Sequence, residues 1–276
     1  MNAASHSNTT DAATTSDASD IPVLEARGVG KLYGHVRALR DVTFDLQAGE
    51  VLAVVGDNGA GKSTLIKILS GVYDPTEGQL RVRGQDRSFA EPADAAAAGI
   101  ATVYQDLALV EARDVAANLF LGREFHRGPF VDRRRIYAEA EKLISTLTIK
   151  LPSVRVAVQM LSGGQRQAVA IARMLVGDPD VVILDEPTAA LGVQESGRVL
   201  NLIRDLRDAG KAVLLISHNL QQVWDTADRI MVMHLGQVAG IRRREQTTVD
   251  EIVKLIVYGS GDQNGEASGR REQDRA

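Results

Sequence analysis

Val51-Leu52-Ala53-Val54-Val55-Gly56-Asp57-Asn58-Gly59-Ala60-Gly61-Lys62-Ser63-Thr64 passes from an unbroken apolar run, through a glycine-rich turn, to residues that can open a helix. An apolar run without alternation is what a parallel strand covered on both faces requires. In the turn, Gly56, Asp57, Asn58, Gly59, Ala60 and Gly61 have the spacing at which backbone N–H groups wrap a phosphate. Lys62 would neutralise the β and γ phosphates and the Ser63 hydroxyl would ligate Mg²⁺. Thr64 is expected to open the helix whose positive dipole end faces the anion. The strand before and the helix after separate this reading from a glycine turn that merely contains a lysine.

Working outward, Val181 to Leu184 and Val213 to Ile216 are two more unbroken apolar runs, each followed by a turn and a helical pattern. Repeated strand-then-helix order predicts an α/β core with right-handed crossovers, and in such sheets ligands bind at the carboxyl ends of the strands. Asp185 and Glu186 end the second run, which puts two carboxylates at the tip of a buried strand. Such a pair calls for a cation. Upstream, Val23 to Ala26 and the alternating Val42, Phe44 and Leu46 read as antiparallel strands with one wet face. Between the first two core runs lies a mostly helical insert, roughly Glu111 to Val176, with helical spacing over Arg133 to Leu147 and Gly164 to Leu175. Ala93 to Ala98 reads as a helix stopped by Gly99.

The 276 residues suffice for one large domain without disulfide or metal staples. Lys and Arg total 32 against 36 Asp and Glu, so a net charge of -4 offers no electrostatic footprint for nucleic acid. Arg133-Arg134-Arg135 stands among Asp132, Glu139 and Glu141 and reads as a solvated helix face. The absence of cysteine excludes thiolate zinc sites and disulfides. The apolar runs fall far short of the roughly 20 residues that span a bilayer, so no crossing is expected. Met1 to Asp20 has neither a basic patch nor an apolar stretch, so it is not expected to act as a secretory signal. That segment and Gly259 to Ala276 are expected to be polar, disordered tails.

Leu161-Ser162-Gly163-Gly164-Gln165 precedes an amphipathic helix. With the phosphate loop upstream and Asp185-Glu186 downstream, the order resembles the ATP-binding-cassette (ABC) ATPases, and the resemblance runs from Val23 to Tyr258. It implies a P-loop ABC ATPase core of RecA-like α/β type over residues 21–258, with an antiparallel β subdomain and a helical signature subdomain at about 111–176. ATP and Mg²⁺ are the implied cofactors. Asp185 would hold Mg²⁺ through water and Glu186 would act as general base. Tyr33 matches the aromatic that stacks on adenine, Gln105 the glutamine that reaches Mg²⁺ and the attacking water, and His218 the histidine at the γ-phosphate. Ser162, Gly163, Gly164 and Gln165 would close on the nucleotide of a second ATPase subunit, most simply a second copy of this chain.

Gly56 to Tyr73, Val103 to Val110, Asn118 to Glu124, Asp185 to Glu195 and Thr247 to Ile256 are similar in particular to the ATPases of ribose-, xylose- and fructose-type importers. The resemblance then implies transmembrane permease partners, a separate periplasmic or extracellular sugar-binding protein, and a peripheral place on the cytoplasmic face of the cell membrane. Two features depart from the pattern. Many of these importers carry two cassettes in one chain, whereas one phosphate loop and one signature stand here. Ala189-Ala190-Leu191-Gly192 also replaces the usual Ser-Ala-Leu-Asp. A non-transport ABC ATPase of translation or DNA repair would bring paired cassettes, zinc modules or coiled coils, none of which is present. An exporter subunit is the other alternative, and the loop after Gln105 favours import.

Overall fold

The computed structural model describes residues 21–147, 149–189 and 191–260. Residues 1–20, Thr148, Ala190 and 261–276 lie outside the described residues, and with them the expected tail at 1–20 and all of the expected tail at 259–276 except Gly259 and Ser260. The chain opens with a long antiparallel hairpin, β1 (Leu24–Tyr33) and β2 (Val36–Leu46). Then come β3 (Val51–Val55), α1 (Lys62–Leu69), β4 (Glu77–Val82), β5 (Gln85–Arg87), α2 (Pro92–Ala97) and β6 (Ile100–Val103). The middle of the chain forms α3 (Val115–Leu119), the short pair β7 (His126–Arg127) and β8 (Phe130–Val131), α4 (Arg133–Thr146) and α5 (Gly163–Leu175). The remainder is β9 (Val181–Asp185), α6 (Val193–Asp208), β10 (Ala212–Ile216), α7 (Leu220–Thr226), β11 (Arg229–His234), β12 (Gln237–Arg243) and α8 (Val249–Tyr258).

Two sheets carry the fold. The first, in the order β2-β1-β4-β5, is antiparallel. The second runs β12-β11-β3-β10-β9-β6 and is parallel except for the edge strand β12. Because side chains alternate along a strand, each core strand feeds two separate apolar clusters. Leu52 and Val54 of β3, Ile183 of β9 and Leu214 of β10 pack toward the antiparallel sheet and α1. Val51, Ala53 and Val55, with Leu184 and Leu215, pack toward α5, α6, α7 and α8. A third cluster belongs to the helical region and includes Val115, Leu119, Ile136, Ala140, Ile144 and Val158. Helix α5 serves two of them: Val169 and Ala172 face the third cluster, Ala170 and Ile171 the second.

The mixed α/β core with an antiparallel sheet beside it is the expected architecture. The expectation of three core strands was short by three. The apolar stretch of β6 is brief, and β11 and β12 form a hairpin whose only continuous apolar run is Ile230–Met233. The β7–β8 pair was also not anticipated. Its strands are two residues long with exposed side chains, too short for any alternation to show. Helix α1 begins at Lys62 rather than at Thr64, because Gly61 takes the N-cap position.

A charged cluster ties the two sheets together. Arg229 on β11 donates to Asp45 on β2 through both terminal nitrogens, at 3.1 Å each, and to Glu50 at 3.1 Å. Burial alone would raise the Asp45 carboxyl, but the hydrogen bond and charge of Arg229 outweigh it, and the group sits below its ordinary value. A depressed carboxylate contributes stability above its unfolded pKa and loses it as pH falls through the folded one. Arg229→Gln is therefore expected to cost roughly 1–3 kcal/mol near pH 7, below the full value for a buried pair because water reaches Asp45. In urea denaturation, the gap from wild type should narrow below about pH 4 as Asp45 protonates.

Candidate functional site

Strand order decides where the chemistry gathers. In the parallel sheet β10 lies between β3 and β9, so the loop after β3, the carboxylates ending β9 and the residues after β10 open on one rim. There they line a cleft of about 520 Å³ formed by Asn58 to Thr64, Gln105, Asp185, Glu186 and His218. Gln105 arrives from the edge strand β6.

The phosphate loop is built by close packing from behind. Gly56 has φ 150°, and a Cβ there would lie 2.2 Å from the Met233 carbonyl oxygen. Gly61, at φ 99°, would put one 2.6 Å from Leu39 Cδ2. Any side chain at either position would push the loop outward and spoil its concave shape. As the N-cap of α1, Gly61 also offers no side-chain acceptor. The first-turn N–H groups of that helix thus face the cleft with the dipole's positive end, which is the chemistry an anionic phosphate needs. Lys62 curls over the same loop, donating to the carbonyls of Gly56 at 2.6 Å and Asp57 at 3.0 Å. Burial pushes its ammonium pKa down, against the opposing charges of Glu186, Asp57 and Asp185.

The acidic side of the cleft is poised differently. Burial raises the Asp185 carboxyl, the neighbouring Glu186 adds to the rise, and Lys62 opposes it. Among the described residues, no three His, Cys, Asp or Glu side chains come together to hold a metal by themselves. Among the oxygen donors that share the cleft are the Ser63 hydroxyl, the Gln105 amide and the Asp185 carboxylate. Hard oxygen donors in small number suit Mg²⁺, which takes its remaining ligands from water and phosphate.

Glu186 sits at φ 51°, a left-handed conformation that costs a non-glycine residue of order 1 kcal/mol or more. Its N–H is anchored on the Ile216 carbonyl at 3.0 Å. His218 Nδ1 lies 2.7 Å from Glu186 Oε2, within ion-pair range. The angle does not make a hydrogen bond, and this buried oxygen has no hydrogen-bond partner among the described residues. A carboxylate at this place, beside a histidine ring nitrogen, is able to take a proton from a water in the cleft.

Two of the expected groups lie outside this cleft. Tyr33 is 40% exposed and packs edge-on against Tyr73 at 5.6 Å, with the Lys31 ammonium 5.6 Å from its ring centre. From the β1–β2 hairpin, the residues that reach the cleft are Val36, Arg37 and Ala38, and from the β11–β12 turn Leu235 and Gly236. None of these five was singled out from the sequence. Val36–Ala38 belong to a hairpin whose strands were read only at their far ends, as Val23 to Ala26 and Val42 to Leu46, and Leu235–Gly236 to one whose strands had not been read.

Ser162 caps α5: its Oγ accepts from the Gln165 N–H at 3.4 Å while Gln165 Oε1 accepts from the Ser162 N–H at 3.1 Å. A Cβ on Gly164 would come 2.9 Å from Glu195 Cβ, and one on Gly163 2.9 Å from Leu191 Cδ2. The signature glycines are therefore fixed by the approach of the segment around Gly192, and Ser162 is left at the surface. Gly192 itself is the N-cap of α6, with no side-chain cap.

The raised Asp185 carboxyl has a stability consequence. A carboxyl whose folded pKa exceeds its unfolded value penalises the fold above that folded value, and the penalty disappears as pH falls below the unfolded one. Asp185→Asn is expected to raise the melting temperature of the nucleotide-free chain by about 1–3 °C near pH 7.5. That gain should fade toward about pH 4, as followed by calorimetry across pH.

The pattern that defines the ABC transporter family matches residues 39–189. The chain is 44% identical over 234 residues to the xylose/arabinose import ATP-binding protein of Sulfolobus acidocaldarius, covering 85% of this chain and 93% of that one. It is 46% identical over 243 residues to the fructose import ATP-binding protein of Rhizobium meliloti, covering 85% and 94% respectively. It is 38% identical to the ribose import ATP-binding protein of Yersinia pestis but spans only 46% of that protein's length. Among solved structures, a nucleotide-free ATP-binding cassette from an ABC transporter is similar with a TM-score of 0.72 at 26% identity, covering 86% of this chain and 95% of that one. A dimeric cassette in a post-hydrolysis state, bound to ADP and Pi, is similar with a TM-score of 0.68 at 25% identity, covering 80% and 98%. With the phosphate loop, the paired carboxylates and the signature helix in this arrangement, the chain belongs to the ABC transporter family as an ATP-binding, ATP-hydrolysing cassette.

Proposed function

We propose that this cassette powers the import of a monosaccharide by hydrolysing ATP on the cytoplasmic face of a membrane, bound to permease subunits that receive sugar from an external binding protein. The observation that carries the hydrolytic part is the convergence of Lys62, Asp185, Glu186 and His218 on one cleft at the strand ends. Near full-length similarity to two proteins named for sugar import supports the choice of substrate class. No helix among the described residues is long and apolar enough to cross a membrane, so attachment would come through a partner.

In this reading the loop N–H groups and Lys62 hold the β and γ phosphates, and His218 contacts the γ-phosphate. Tyr33 stacks on the adenine as the nucleotide extends past Val36 and Arg37. Ser63, Gln105 and Asp185 would hold Mg²⁺, whose chemistry would be neutralisation of the phosphate charge. Glu186 takes the proton from the attacking water, with His218 beside it to stabilise the charge that develops. Since Ser162, Gly163 and Gly164 lie outside the cleft, they serve the nucleotide of a facing cassette. Two copies of this chain about a twofold axis complete both sites. Hydrolysis removes the γ-phosphate contacts and lets the pair separate, a ligand-driven population shift that the permease reads.

Glu186→Gln should keep nucleotide binding and lose turnover by roughly a hundred-fold or more, since an amide cannot take the proton. Light scattering on that variant should show Mg-ATP converting monomer to dimer, and an added Ser162→Arg should block the conversion. Equal turnover of wild type and Glu186→Gln in the presence of the permease contradicts the assignment of the base.

The permease is expected to dock on the surface from Gln105 to Arg123. Leu109→Asp combined with Arg123→Glu should release the chain from permease-containing vesicles while ATP affinity stays within about two-fold, because neither residue lines the nucleotide cleft. Unchanged co-sedimentation would place the docking surface elsewhere.

A further inference from the structure

Helix α5 starts at the signature serine, and its last turn carries a cation that the hydrolytic machinery does not use. Arg173 donates through Nη1 to the Ala108 carbonyl at 2.6 Å and through Nη2 to the Leu107 carbonyl at 2.9 Å. Both acceptors lie in the loop that follows Gln105. That loop is a tight irregular turn: Ala108 has φ 48°, and its N–H is taken by Asp106 Oδ1 at 3.1 Å. Its carbonyls belong to no sheet ladder, so the guanidinium fork is what holds the two of them in one orientation.

The charge of Arg173 is held at a cost. Burial pushes its pKa below the ordinary arginine value, and among the described residues no acid offsets that shift. Desolvating a cation without a counter-charge is unfavourable, and a methionine or leucine would fill the same place more cheaply. The residue's value therefore lies in its two carbonyl bonds. Arg173 also lines a groove of about 280 Å³ together with Tyr104, Leu121 and Arg123, next to the Gln105 loop. A partner pressed into this groove would bear on the arginine and the loop together.

We propose that Arg173 is a positioning residue for hydrolysis: it locks the loop carrying Gln105 to the far end of the helix whose near end presents Ser162. Helix α5 is a rod of roughly 20 Å, clamped between two apolar clusters. Through it, the placement of Gln105 in the chain's own site and of Ser162 in the facing site change as one. The inference rests on the proposed roles of Gln105 and Ser162 and adds the residue that makes them interdependent.

The test uses the full-length chain with Arg173→Lys, which keeps the charge and loses the fork, and Arg173→Met, which keeps the volume and loses both bonds. Amide exchange at residues 106–110 should rise by roughly ten-fold in Arg173→Lys and further in Arg173→Met, in keeping with loss of one or two charge-assisted bonds. ATP affinity in EDTA should stay within about two-fold, while kcat falls by roughly ten-fold or more with KM little changed. In the Glu186→Gln background, Mg-ATP-driven dimerisation should weaken in parallel. Exchange at 106–110 unchanged in Arg173→Met overturns the proposal. So does loosened exchange with wild-type kcat, and so does a lowered melting temperature with a matching loss of ATP affinity, the mark of a merely structural role. If the Glu186→Gln parent itself stays monomeric, the sandwich reading falls, while the exchange and kcat of the Arg173 variants in otherwise wild-type protein still decide this inference.

Discussion

Burial of β3, β9 and β10 on both faces is the constraint from which the rest of this molecule follows. A strand such as Val51–Val55, apolar at every position, cannot sit at a wet surface, so it must be covered twice. One cover is the antiparallel sheet with α1, the other is the layer of α5 to α8. With every apolar side chain of these strands committed to packing, their termini are the places left for polar chemistry. Parallel strands point the same way, so their carboxyl ends share a rim. The phosphate loop, Asp185, Glu186 and His218 are near one another because of this shared direction, although they are far apart in sequence.

Electrostatics at the rim then reflects its position rather than any special residue. Lys62 and Asp185 are both displaced from their ordinary pKa values in the direction that disfavours their charge, and burial is the leading cause for each. A multiply charged nucleotide and a divalent cation are the ligands that reverse both penalties at once. Occupation of the site by such ligands would offset the cost of burying both groups.

How much of this was legible in the sequence can be judged residue by residue. The phosphate loop and Asp185-Glu186 were readable because glycine spacing and an apolar run ending in acid are local signals. Gln105 and His218 followed from the resemblance, and their convergence with the loop depended on the strand order, which no local pattern encodes. The Val36–Ala38 and Leu235–Gly236 walls were illegible for the same reason: they reach the cleft through pairings such as Tyr33 with Val36 and His234 with Gln237. Strand β6 was missed because Ile100–Val103 offers too few residues to show a period. Arg173 carried no signal at all, since an arginine at the end of an amphipathic helix is ordinarily a solvated residue.

One backbone angle has a consequence for how such a protein drifts. Glu186 holds a conformation that glycine or asparagine would occupy with less strain, and the polar neighbour of its buried oxygen is the His218 ring nitrogen. Either glycine or asparagine here would relieve the strain and, on the role proposed for Glu186, would also silence turnover. In a population freed from the need to turn over nucleotide, the glutamate would be open to replacement by glycine or asparagine, at the loss of its contact with His218. A strained glutamate in an otherwise intact rim is what selection for the proposed turnover would leave behind.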